Sequence, residues 1–218
     1  MKVKLVHSTP DGDQLIAKMA RVSNPSNEDN YETAPRLINY LMAHRHWSPF
    51  EMASMCVEIS CTRAIAQQII RHRSFSYQEF SQRYANTNEL PSPVPPHLRG
   101  QDKKNRQNSI DNLNDRIGVN KLSHYYRRIN SLFDDATHLY QELVSDGVAK
   151  ECAREILPLA TPTRLYMHGT VRSWIHYCDL RMAHGTQYEH KLIAAECFNN
   201  LKECFPMVAE AYELSLRP

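Results

Sequence analysis

Met55-Cys56-Val57-Glu58-Ile59-Ser60-Cys61, Ala64-Ile65-Ala66-Gln67-Gln68-Ile69-Ile70 and Arg71-His72-Arg73-Ser74-Phe75-Ser76-Tyr77-Gln78-Glu79-Phe80-Ser81-Gln82-Arg83-Tyr84 make up the stretch from which the rest of the chain is read. In the first piece, Met55, Val57, Ile59 and Cys61 alternate with Cys56, Glu58 and Ser60, which predicts a strand with one well-buried face. In the second, Ile65 and Ile69, and Ala66 and Ile70, stand four apart, which predicts a helix running to about Arg73 and makes Gln68 and Arg71 surface neighbours. The third concentrates arginines, a histidine, a carboxylate, serines and aromatics. Core segments rarely do so, because each buried donor needs an acceptor and each buried charge a counter-charge. An anionic ligand would supply both.

Arg71, His72 and Arg73 also have a plain reading as cations at the negative end of a helix. Further on, Ser81 and Arg83 alternate with Phe80, Gln82 and Tyr84, so an extended segment would point a hydroxyl and a guanidinium the same way. Together with Arg71 they would grip a phosphate through charge-assisted hydrogen bonds.

Toward the N-terminus, Val3 and Leu5 alternate with lysines as in a short edge strand. Thr9 and Pro10 read as the cap and first residue of a helix with Leu15, Ile16, Met19 and Ala20 on its stripe. Residues 23–27 have loop chemistry, and a second helix opens at Thr33 with Leu37, Tyr40, Leu41 and His44 on its apolar side. Toward the C-terminus, 86–112 is proline-rich and then polar, with Lys103, Lys104 and Arg106 exposed, and reads as an excursion or lid. A long amphipathic helix from Leu122 to Leu143 closes at Gly147. Its stripe suits either the core or a subunit interface. A short helix from Val148 to Ile156 stops at Pro158, and Arg154 within it is expected to be paired, because a lone buried guanidinium is costly. Thr163 to Val171 reads as a strand. Trp174, Tyr177, Cys178 and Arg181 then share one helical face, and a last helix with Leu192, Ala195, Phe198 and Leu201 breaks at Pro206. The expected fold is α+β, a single domain over 1–218, with a small antiparallel sheet packed by several helices, one of them long.

With 218 residues a substantial core is available, and the net charge of +2 is too mild to argue for nucleic acid. No apolar run reaches membrane-spanning length, and Met1-Lys2-Val3-Lys4-Leu5 is unlike a signal peptide. A cytoplasmic protein with reduced, mostly buried cysteines is expected. The eleven histidines form no His-Glu-x-x-His or Cys/His ligand spacing, so no metal is expected. Six glycines and the lack of Gly-x-Gly-x-x-Gly exclude a Rossmann unit.

Arg71-His72-Arg73, seven residues, then Ser81, closing on Arg83-Tyr84, resembles the signature of the flavin-dependent thymidylate synthases. So do Ala20-Arg21-Val22-Ser23, His46 with Ser48-Pro49-Phe50-Glu51, Ala153-Arg154 with Leu157-Pro158-Leu159, and Arg172-Ser173 with Leu180-Arg181. The resemblance implies reductive methylation of dUMP to dTMP, with methylenetetrahydrofolate as carbon donor, FAD as hydride carrier and NADPH as reductant, in a homotetramer. It implies that Gln68, Arg71, Glu79, Ser81, Gln82, Arg83, Arg154 and Arg181 bind dUMP. It further implies that Ser23, His46, Ser48, Glu51, Arg73, Ser74, Arg172 and His176 bind FAD, and that Arg181, Ser81 and His46 sit at the reacting centre. Thr170 and His176 stand where the family often has asparagine, and Gln82 where it often has glycine. Two other readings remain: a flavin- and folate-dependent pyrimidine nucleotide hydroxymethylase, which needs the same ligands, and a nucleic-acid-binding module using Arg71, Arg73, Arg83 and the 103–106 loop.

Overall fold

A computed structural model describes residues 1–216, the side chain of Asn88 excepted. The strands are β1 (Lys2–Ser8), β2 (Ser54–Thr62), β3 (Ser76–Glu79), β4 (Gly100–Gln101), β5 (Ser109–Ile110) and β6 (Pro162–Thr170). The helices are α1 (Gly12–Ala20), α2 (Ala34–Ala43), α3 (Arg63–Ile69), α4 (Leu113–Ile117), α5 (Val119–Ser145), α6 (Lys150–Ala153), α7 (Val171–Met182), α8 (Tyr188–Cys204) and α9 (Pro206–Ser215). Four strands form one antiparallel sheet in the order β1-β2-β6-β3, so β1 is the edge strand its alternating lysines predict. The short β4 and β5 pair separately as a hairpin.

The register of β2 on β6 sets Met55 opposite Gly169, Val57 opposite Met167 and Ile59 opposite Leu165, which gathers the buried positions of both strands on one face. Against that face lie Trp174, Tyr177 and Cys178 of α7 and Ile193, Ala194 and Cys197 of α8. The Trp174 indole is fastened to the sheet by donating to the Met55 carbonyl at 2.9 Å. Gly169 makes room for the Phe75 ring: a Cβ there would lie 2.4 Å from Phe75 Cδ1. Phe75 in turn packs edge-on against Trp174 at 4.7 Å between centroids. In this way the segment after α3 is seated over the sheet.

Several local expectations give way. Thr9 caps no helix, because its hydroxyl accepts from the Ser54 amide at 2.9 Å and its own amide donates to the Ser54 carbonyl; α1 starts three residues later, behind Asp11. α3 ends at Ile69, short of Arg73, where the Tyr77 hydroxyl lies 2.9 Å from the carbonyl oxygens of both Ile69 and His72. Arg71 to Arg73 therefore lie beyond the helix. His44 is exposed and rests on the Tyr40 ring, while the buried side of α2 is Ala34, Ile38, Leu41 and Met42. Pro206 opens α9 instead of ending the fold. It stands at the first helical position, and the buried Asp13 carboxylate of α1 accepts the Met207 and Val208 amides at 2.8 and 3.3 Å, capping the new helix from a distance. The helix of 148–156 becomes α6 followed by a 3₁₀ turn over Arg154–Ile156.

Residues 86–112 are tied down at several points, two of them near the middle. Tyr126 of α5 accepts the Leu98 amide at 3.0 Å. Arg99 forks onto Glu189 at the start of α8 at 2.6 and 2.9 Å and lies 5.1 Å over the Tyr188 ring. α5 closes at Gly147, whose φ of 88° is glycine's conformation. Phe133 and Tyr140 turn inward, whereas Leu132 and Leu139 remain 63% and 47% exposed. Among the described residues no helix is long and apolar enough to cross a membrane.

Candidate active site

The aromatic stripe of α7 delivers Arg181 to His72. Arg181 Nε donates to His72 Nε2 at 2.7 Å, and because a guanidinium only donates, His72 accepts there and keeps its proton on Nδ1. Burial, then the Arg181 charge, pull the His72 pKa down to about 4, so His72 is neutral and does not serve as a helix-end cation. The contact occupies one donor of Arg181 and leaves the two Nη groups for a ligand. No carboxylate among the described residues forms an ion pair with Arg181.

Beneath this pair, Tyr177 presents its ring edge-on to His72 at 4.9 Å. The Tyr177 hydroxyl lies 3.1 Å from His190 Nε2, and His190 Nδ1 lies 3.3 Å from Gln68 Oε1. Both Tyr177 and His190 are fully buried, and burial holds His190 neutral with its pKa near 3. Gln68 and Arg181 are thus two ends of one polar cluster, joined through His72, Tyr177 and His190 although they stand far apart in the chain.

The other face of α3 borders a cavity of about 150 Å³ lined by Arg63, Gln67, Gln82, Arg154, Leu157 and Thr161. Gln82 is 5% exposed, and its Nε2 is buried with no acceptor among the described residues. Arg154 forms no ion pair there, contrary to the expectation that it is paired. The buried Gln82 donor is unfavourable without an acceptor, and an anion there would satisfy it beside Arg154, although Glu155 also lines the cavity. Glu79 does not face that role freely: it accepts from Arg63 Nη1 and Thr163 Oγ1, each at 3.0 Å.

Ser81 and Arg83 depart from the extended reading. β3 ends at Glu79, and the amides of Tyr84 and Ala85 both turn back to the Ser81 carbonyl, so a hydroxyl and a guanidinium no longer share one face. The turn buries Gln82, sends Arg83 to Glu151 on α6 at 3.1 Å, and is held from below by Lys150 Nζ on the Tyr84 carbonyl at 2.9 Å. Arg71 and Arg73 stay exposed with no ion pair among the described residues.

Of the remaining residues, Ser48 and Glu51 lie on one 3₁₀ turn, and Glu51 pairs with Arg172 at the start of α7. Ser173, the next residue of α7, donates to the Ser74 carbonyl at 3.3 Å. Three segments, 48–51, 72–76 and 170–173, therefore meet along one edge. Thr170 caps α7, its hydroxyl accepting the Ser173 amide at 3.3 Å. His176 is exposed one turn further along and lies near enough to His72 to add to the lowering of its pKa. Ser23 and His46 lie on the α2 side instead: Tyr40 lines a cavity with Ser23 and Arg36, and its ring centroid is 6.0 Å from that of His46.

Three participants escaped the sequence reading. His72 stood in plain sight between two arginines but looked like a third cation. His190 and Gln187, whose side-chain oxygen accepts Gln68 Nε2 at 2.7 Å, carried only a faint signal, their spacing of three at the start of α8, and nothing linear connects them to Gln68.

Residues 4–207 match the family model described as thymidylate synthase complementing protein. A probable flavin-dependent thymidylate synthase from Paramecium bursaria Chlorella virus 1 is 46% identical over 210 residues, covering 96% of this chain and 94% of that protein. The flavin-dependent thymidylate synthase of Synechocystis sp. is also 46% identical, over 206 residues, covering 94% of this chain and 90% of its own. Among solved structures, a UMP/dUMP methylase PolB from Streptomyces cacaoi bound with 5-Br dUMP matches with a TM-score of 0.83 at 26% identity, covering 100% of this chain and 97% of that one. With a family model spanning nearly the whole sequence and relatives this similar along it, the chain belongs to the thymidylate synthase complementing proteins, the flavin-dependent thymidylate synthase family.

Proposed function

We propose that this protein converts dUMP to dTMP, taking the one-carbon unit from methylenetetrahydrofolate and the reducing equivalents from NADPH through FAD. The observation that carries the reading is Arg181. Its guanidinium is held from one side by a neutral histidine and has its two Nη groups left, with no carboxylate among the described residues paired to it. Such a group suits an electron-rich carbonyl edge, here the uracil oxygens, whose negative charge grows as C5 turns nucleophilic. Gln68, at the other end of the same cluster, is a second hydrogen-bonding partner for the nucleotide.

In this reading Arg71, Arg83, Arg154, Ser81 and the buried Gln82 amide receive the phosphate and sugar. The cavity beside α3, with its unanswered donor and guanidinium, supports that assignment. Glu79 acts by fixing Arg63 and the end of β3. Ser81 binds; no His–Asp relay adjoins it to make it a nucleophile.

The donor set along the 48–51, 72–76 and 170–173 edge also fits FAD. Arg73 and Ser74 are exposed there, and Ser48, Glu51, Arg172 and His176 flank them, which suits the phosphates and polar ring edge of a dinucleotide. Ser23 and His46 extend the set on the α2 side. FAD, when bound, supplies the hydride-transfer chemistry that no side chain here can perform. The protein's part is to hold the ligands face to face and keep water out.

Assembly into a homotetramer accounts for Leu132 and Leu139 on the outer side of α5, two large apolar residues exposed on one long helix. Sedimentation of a fully active monomer would refute that part. The reaction itself is tested by incubating the protein with dUMP, methylenetetrahydrofolate, FAD and NADPH and weighing the product. A nucleotide heavier than dUMP by one methylene unit is expected. A hydroxymethylated product would replace the reading with the hydroxymethylase, and unchanged dUMP would refute it.

A further inference from the structure

A carboxylate can only accept hydrogen bonds, and that fact propagates through the cluster beneath the candidate site. Glu189 is gripped by both arms of Arg99, at 2.6 and 2.9 Å, with both side chains largely buried. Gln187 Nε2 donates to Glu189 Oε2 at 2.9 Å, so the Gln187 amide must present its oxygen on the other side. That oxygen accepts Gln68 Nε2 at 2.7 Å, so Gln68 must turn its own oxygen toward His190 Nδ1 at 3.3 Å. His190 Nδ1 then carries the proton, and Nε2 is left to accept the Tyr177 hydroxyl at 3.1 Å. Reversing any one amide would set two acceptors or two donors against each other. Every orientation follows from the Arg99–Glu189 ion pair, and Arg99 belongs to the 86–112 segment.

We infer that Arg99, Glu189 and Gln187 are positioning residues: a one-way hydrogen-bond relay by which the docked 97–111 hairpin fixes the amide orientation of Gln68 toward dUMP, the His190 tautomer being set in turn by Gln68. The inference rests on the reading of Gln68 as a nucleotide ligand given above. It also gives the hairpin a role. The segment sets the site up by docking at the start of α8, whether or not it covers the ligand.

The test separates the relay from that reading. Nitrogen-15 NMR of the imidazoles in the full-length protein reports the His190 tautomer without any ligand. Wild type should show the Nδ1–H form alone. Glu189→Gln, whose new amide can donate, and Gln187→Ala, an exposed position that cuts the chain while leaving Arg99 and Glu189 paired, should each give a mixture. An Nε2–H tautomer in the wild type, or no change in either variant, overturns the relay. Titration with dUMP then reads the coupling. Each variant should weaken dUMP by about tenfold, the worth of one hydrogen bond, and should add nothing in a Gln68→Ala background. Additive losses in that double-mutant cycle would mean separate structural damage and overturn the coupling. If the tautomers behave as expected but Gln68→Ala leaves dUMP affinity unaltered, the assignment of Gln68 to the nucleotide falls while the relay stands.

Discussion

At the scale of single residues, the account ranks the polar groups by what holds them. Arg181 is oriented by a neutral histidine and forms no ion pair among the described residues, whereas Ser81 is exposed in a turn. Arg181→Ala should therefore lower turnover of dUMP by roughly 10²- to 10³-fold, the usual loss of a preorganised electrostatic contact, while Ser81→Ala should retain readily measured activity. Equal and complete loss from both would reverse the ranking. The buried histidine makes a second statement, about pH. His190 has its pKa pushed from an ordinary 6.5 down to about 3, so between these values the unfolded chain binds a proton that the folded one refuses. Stability is then complete above 6.5 and is lost as the pH falls toward 3, by at most about 1.4 kcal/mol per unit. Thermal midpoints measured down a pH series should fall more steeply in wild type than in His190→Leu, which has no such proton to take up. Parallel declines would show that His190 is not the buried neutral base described here.

At the scale of elements, the decisive packing lies between β6 and the segment after α3. Gly169→Ala would drive a methyl into the Phe75 ring, and Phe75 seats the turn that carries His72 and Ser74. A loss of about 1–3 kcal/mol is expected from such overpacking, together with weakened ligand binding; a variant as stable as wild type would show that Phe75 has room to move. The same region shows what the sequence disclosed and what it withheld. Alternation in 55–61 and the four-residue spacing of Ile65 and Ile69 located β2 and α3, because those patterns follow from which face is buried. The end of α3 was misplaced because the group that stops it, the Tyr77 hydroxyl, comes back from the next strand. α9 was lost for a related reason: the carboxylate capping it belongs to α1, far earlier in the chain. The turn at 81–85 was read as extended because the residues that bend it, Glu151 and Lys150, lie on another helix. Local patterns reveal buried faces, while helix ends and turns here depend on partners remote in sequence.

At the scale of the molecule, the candidate site is an assembly of pieces drawn from nearly the full length of the chain around one four-stranded sheet. Motif spacing pointed to most of its arginines and serines, since those lie within short signatures. The neutral histidines, His72 accepting from Arg181 and His190 between Gln68 and Tyr177, were not legible, because a histidine's role depends on burial and partners that only the fold provides. The central claim is that nucleotide and flavin share this one site, and the most direct measurement is the visible spectrum of the purified protein during titration with dUMP. The account predicts a protein that retains or takes up FAD and whose flavin bands shift as dUMP fills the adjoining site. A colourless protein that takes up no FAD, or flavin bands indifferent to saturating dUMP, would contradict it.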